Sequence, residues 1–146
     1  MVQLLKILMA MLAELYGYIE SQSDTEYAVG MSYNYGTIEC SIATGGIVGG
    51  AWNPEGQTIV IKGCYNTGTI RCNNQFNGGI LGGTYLMMDS ASTDTTKNKI
   101  INSYSTGNIE SSVQNQICPK YAEVTNCYYV GGRQNVSGYG LGYLSL

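Results

Sequence analysis

The chain has 146 residues, room for one domain, and 44% of them are hydrophobic, enough for a packed core. Only 12% are charged, the net charge is -3 and there is no histidine. That balance argues against nucleic acid and anionic membrane surfaces as partners, and it removes the commonest general base and metal ligand. Twenty glycines and 13 tyrosines, against one Phe and one Trp, suit an all-β protein of short strands and tight turns.

The first segment, residues 2–19, differs from the rest. Leu4, Leu8, Met11 and Leu15 recur at helical spacing, as do Leu5, Leu12 and Ile19. The pattern predicts a helix over about 3–18, inside an N-terminal unit 1–22. Lys6 interrupts the apolar stretch, and Glu14 and Glu20 crowd it, so neither a signal peptide nor a membrane-spanning helix is expected. The expected role is an α-helical cap on the open end of a β structure.

A repeated motif follows. "SYNYGTIEC" (32–40), "GCYNTGTIRC" (63–72) and "SYSTGNIES" (103–111) say nearly the same thing, and "NCYYVGG" (126–132) is a weaker copy. The anchors are Tyr33, Tyr65, Tyr104 and Tyr128, at intervals of 32, 39 and 24 residues. Four residues before them stand Val29, Ile61, Ile100 and Val124. One before stand Ser32, Cys64, Ser103 and Cys127. After the anchors come Gly36, Gly68 and Gly107, then Ile38, Ile70 and Ile109. A second block, "GGIVGG" (45–50) and "GGILGG" (78–83), is followed by Trp52 and Tyr85.

Self-similarity at this period is how a β-solenoid is written. The expected fold is all-β: a short right-handed β-solenoid of about three to four coils over 23–132, with two or three strands per coil and the N-terminal helix as cap. β-Branched residues stack inside, and Gly recurs at turns or close approaches. Glu39, Arg71 and Glu110 should alternate in sign down one column. The longer second interval places one extra residue between Ile70 and Gly78 and six more in the polar run near 89–99, a surface loop. The third copy carries "QNQICPKYAE" in place of a Gly-Gly block, and Pro119 predicts departure from the coil. Residues 133–146 read as a C-terminal cap.

These motifs resemble the GLUG-motif repeats of bacterial surface proteins, over residues 28–70, 78–83, 99–110 and 124–132. The resemblance implies a β-helical accessory module on a secreted or wall-attached bacterial protein, hence an extracellular or cell-surface location and a structural or adhesive role.

Catalytic chemistry has little to build on. "GGIVGG" lacks the lysine of a phosphate loop, and its repetition marks it as structural. The acids are scattered, with Arg71 between the stacked Glu39 and Glu110. Without His, a catalytic thiol has no activating base. The expectation is a non-enzymatic chain with no cofactor and no metal. Cys40 and Cys72 share a column, so a disulfide there is geometrically conceivable, with reduced, buried thiols as the preferred reading. Trp52 and Tyr85 are the expected ligand-binding pair, for a glycan or a host or surface protein. For the Tyr33, Tyr65, Tyr104 and Tyr128 column there are two readings, an exposed binding face or packing of the coil with hydroxyls at the rim, and the second is the preferred expectation. The alternative to adhesion is a self-assembling subunit, a homo-oligomer or filament built by end-to-end stacking.

Overall fold

Short runs of alternating residues punctuated by Gly, Asn and Ser cannot hold long strands, and the computed structural model resolves them into many short ones. The structure describes residues 11–12, 16–20, 27–41, 43–52, 58–73, 76–84, 98–118, 122–130 and 141–143. First come β1 (Met11–Leu12) and β2 (Tyr16–Glu20). The next coil runs β3 (Tyr27–Gly30), β4 (Tyr33–Asn34), β5 (Thr37–Cys40), β6 (Ala43–Gly45) and β7 (Val48–Trp52). The following one repeats it as β8 (Ile59–Lys62), β9 (Tyr65–Asn66), β10 (Thr69–Cys72), β11 (Asn77–Gly78) and β12 (Leu81–Thr84). Then come β13 (Asn98–Ile101), β14 (Tyr104–Ser105), β15 (Ile109–Glu110), β16 (Glu123–Thr125), β17 (Cys127–Tyr129) and β18 (Leu141–Tyr143).

Each strand pairs in parallel with its counterpart one coil away. The result is five stacked parallel sheets: β1-β6-β11, β2-β7-β12, β3-β8-β13-β16, β4-β9-β14-β17-β18 and β5-β10-β15. This is a β-solenoid with five short strands to a full coil, not the two or three expected. Two-residue strands such as β4, β9 and β14 are too brief to show as alternation.

The register follows the sequence columns. Val29 pairs with Ile61, Ile61 with Ile100 and Ile100 with Val124, all buried. Ile38, Ile70 and Ile109 form a second buried column. Ile47, Val48, Ile80, Leu81 and Ile117 fill the middle at zero exposure. Burying each such side chain contributes about 1.5–3 kcal/mol, so the stacked aliphatics carry much of the fold.

The N-terminal reading needs correction. Among the described residues there is no helix, and residues 11–12 and 16–20, inside the expected helix, are strands. Met11 pairs with Ala43, and Tyr16 with Val48, so this segment is an earlier rung of the same array at the same 32-residue step. Two physical effects outweigh the helical spacing. Gly17 between Tyr16 and Tyr18 weakens a helix, and aromatic and β-branched residues favour strand. The β6 and β7 edges also offer unpaired backbone groups. The remainder of the expected helix lies outside the described residues.

The third copy also keeps more of the coil than Pro119 implied. The amides of Ile80 and Leu81 both donate to the Ile117 carbonyl, as those of Ile47 and Val48 do to Ile80. Residues 115–118 therefore continue the rung without its glycines.

Candidate functional site

Three corner devices set the geometry of the outer face. At the first, Met31, Gly63, Asn102 and Asn126 occupy equivalent positions two residues before the anchors, all at positive φ of 49–64°. Asn and Gly tolerate this left-handed backbone, whereas Met31 is strained there. At the second, the small residue that follows closes the corner with a donor. Ser32 Oγ donates to Gly30 O, Cys64 Sγ to Lys62 O, Ser103 Oγ to Ile101 O and Cys127 Sγ to Thr125 O. Ser and Cys interchange because either supplies a short donor reaching back two residues.

The third device is an Asx turn. Asn34 Oδ1 accepts from the Gly36 amide, and Asn66 Oδ1 from the Gly68 amide. Asn34 Nδ2 donates to Asn66 Oδ1 at 2.8 Å, so buried amides link one coil to the next. Gly68 and Gly107 are required here by close approach: a Cβ would strike the Gly36 and Gly68 carbonyls.

With Asn34, Asn66 and Ser105 buried, the alternation of β4, β9 and β14 turns the preceding tyrosines outward. The anchor column is therefore a surface ladder, which corrects the expectation that it packs the coil. Tyr33 is 50% exposed, Tyr104 36% and Tyr128 40%. Tyr65 is half-buried because it is sandwiched. The Tyr33 and Tyr65 rings stack at 5.3 Å and 10°, those of Tyr65 and Tyr104 at 5.0 Å and 4°. Tyr35 stacks beside Tyr33 at 5.8 Å. Rings stacked face to face at the strand spacing cover one another's faces, so solvent meets a row of ring edges and phenol hydroxyls. Tyr128 pairs with Gly142 on the next rung, where the column has no ring to follow.

The flank of this face carries the charge column. Arg71 lies between Glu39 and Glu110 in register, and its Nε donates to Glu110 Oε2 at 2.7 Å. That hydrogen bond, then the charges of Glu110 and Glu39, raise the Arg71 pKa. Half-exposed and screened, the pair contributes little stability.

The expected binding pair is not assembled among the described residues. Trp52 ends β7, opposite Glu20, and Tyr85 lies outside the described residues. Cys40 and Cys72 do face each other in register, and all five cysteines are thiols in this structure. Burial raises the pKa of Cys64 and Cys127, partly offset by backbone hydrogen bonds. Burial, with Cys127 nearby, pushes Cys118 up to about 12. These three thiols are protonated and shielded at neutral pH, unsuited to attack as thiolates. Among the described residues no three His, Cys, Asp or Glu side chains gather as a metal site. None of the helix length needed to cross a membrane is present there either.

The outer ladder was missed because its signal, an invariant Tyr next to Asn or Ser, reads equally as core. What decides it is the partner residue: a buried Asn making the turn forces its neighbour out. Fold and face together define a parallel β-solenoid repeat protein with an aromatic ladder. Comparison with family models, with curated proteins and with solved structures finds no match to this chain.

Proposed function

We propose that the chain is a non-enzymatic structural and adhesive repeat module of a bacterial cell-surface or secreted protein, and that it binds an uncharged glycan along its tyrosine ladder. The observation that carries the reading is the ladder itself. Exposing three of the four tyrosines in one column, Tyr33, Tyr104 and Tyr128, forgoes their burial, and contiguous exposed aromatics mark binding surfaces. Ring edges and hydroxyls repeating at the strand spacing suit a hydroxyl-rich polymer better than a flat apolar partner. The bacterial-surface part of the reading rests on the resemblance of the "CYNTG" and "GGIVGG" segments to GLUG repeats.

The test is a glycan array probed with the full chain, followed by titration of any hit. Tyr65→Ala with Tyr104→Ala should weaken binding at least tenfold while Trp52→Ala leaves it unchanged. Loss with Trp52→Ala alone would return the site to the Trp52 and Tyr85 pair, and an array without hits would defeat the glycan assignment.

A second reading is end-to-end self-assembly. It is favoured by how readily the sheets accept poorly matching rungs, β1 and β2 at one end and β18 at the other. Light scattering on the eluting full chain distinguishes it: a monomer at every concentration excludes assembly.

A further inference from the structure

We propose that Cys40 and Cys72 form a disulfide site that, when oxidised, staples one coil of the solenoid to the next. The two are register partners on β5 and β10, on the same inward side as Ile38 and Ile70. Paired parallel strands lie about 4.8 Å apart, within the Cα separation a disulfide spans. Each cysteine is the last residue of its strand, followed by a bend at exposed Ser41 or Asn73, so the backbone has room to adjust as the bond forms. The next position in the column is Ser111, one step past the Arg71–Glu110 pair, which leaves no third thiol to compete.

Accessibility assigns the roles. Cys40 is half-buried and reachable, whereas Cys72 is 3% exposed beside Ile70 and Ile109. Cys64 and Cys127 are separated by the Ser103 rung. Cys118 and Cys127 are neighbours but fully enclosed.

The oxidant required is a small-molecule disulfide such as glutathione disulfide. The Cys40 thiolate attacks one of its sulfurs and expels one glutathione thiolate, leaving a mixed disulfide. The Cys72 thiolate then attacks the Cys40 sulfur and expels the second. Two protein thiols lose their protons and two electrons, and one glutathione disulfide becomes two thiols. The product closes a loop one whole coil long, so it opposes separation of β3, β4 and β5 from β8, β9 and β10.

The experiment treats the native full chain with glutathione disulfide, alkylates the remaining thiols and maps the peptides by mass without reduction. The expected product is a Cys40–Cys72 cross-linked peptide, two hydrogens lighter than its parts. The other three cysteines should alkylate only after unfolding, and the thermal midpoint should rise until reductant is added. Cys72→Ser should trap glutathione on Cys40, and Cys40→Ser should abolish reaction at both positions. Stable glutathione on Cys40 of the unaltered chain, no reaction at either Cys40 or Cys72, or a first bridge between Cys118 and Cys127 would each overturn the proposal.

Discussion

The corner residue is where one side chain says most about this chain. Four equivalent positions hold positive φ, and three of them carry the residues that tolerate it. Met31, at 52°, is the exception, and its side chain is 87% exposed, so little packing compensates the strain. Met31→Asn should therefore stabilise the protein by about 1 kcal/mol, read as a higher urea midpoint at unchanged slope. An unchanged or lower midpoint would mean the corner is not left-handed there.

Cys118 gives a second prediction at the same scale. Its folded pKa of about 12 exceeds the ordinary 9.0, so above that ordinary value the native state keeps a proton the unfolded chain has lost. The stabilisation is full below about pH 9 and falls as pH rises toward 12. Urea midpoints should drop between about pH 9 and about pH 12, and Cys118→Val should flatten that drop.

At the scale of the element, the glycine turns between β6 and β7, and between β11 and β12, fold across the interior. A Cβ on Gly46 would strike the Gly79 carbonyl and the Asn66 side chain, and one on Gly79 would strike Ser105 Oγ and the Gln116 carbonyl. A Cβ on Gly30 would meet only the Lys62 carbonyl at an ordinary 3.7 Å. Gly46→Ala and Gly79→Ala should each cost about 3 kcal/mol or more. Gly30→Ala should be neutral or mildly stabilising, since it removes chain entropy from the unfolded state. Equal effects at all three positions in thermal melts would contradict the inward turn.

The elements also divide by how legible they are. The Val29, Ile38 and charge columns can be read from sequence because each position keeps one physical character through successive copies. β1 and β2 cannot, because they share a register with β6 and β7 but keep only one of their glycines, Gly17 opposite Gly49. Leu8, Leu12 and Leu15 then mimic a helical face, and only the neighbouring strand edge decides the outcome. The face of the tyrosines was hidden for a different reason. In a two-residue strand, alternation has no run to reveal itself, and the buried Asn beside each ring carries the information instead.

For the whole molecule, the repeats act as rungs. Each coil contacts its neighbours, hydrogen bonds run from coil to coil, and the tyrosine ladder, amide pair and charge column all run along the stack. The binding reading depends on that register, because a slip of one residue would turn the tyrosines inward and the asparagines out. The most direct test is the dipolar coupling between nitroxides on outward positions, in a Cys40→Ser, Cys72→Ser background. Labels at Thr37→Cys and Thr69→Cys, register partners on β5 and β10, should lie on adjacent rungs about 5 Å apart and broaden the spectrum strongly. Labels at Thr37→Cys and Asn108→Cys should lie two rungs and about 10 Å apart and broaden it less. Equal broadening for both pairs, or none for the first, would contradict the stacked register on which the account rests.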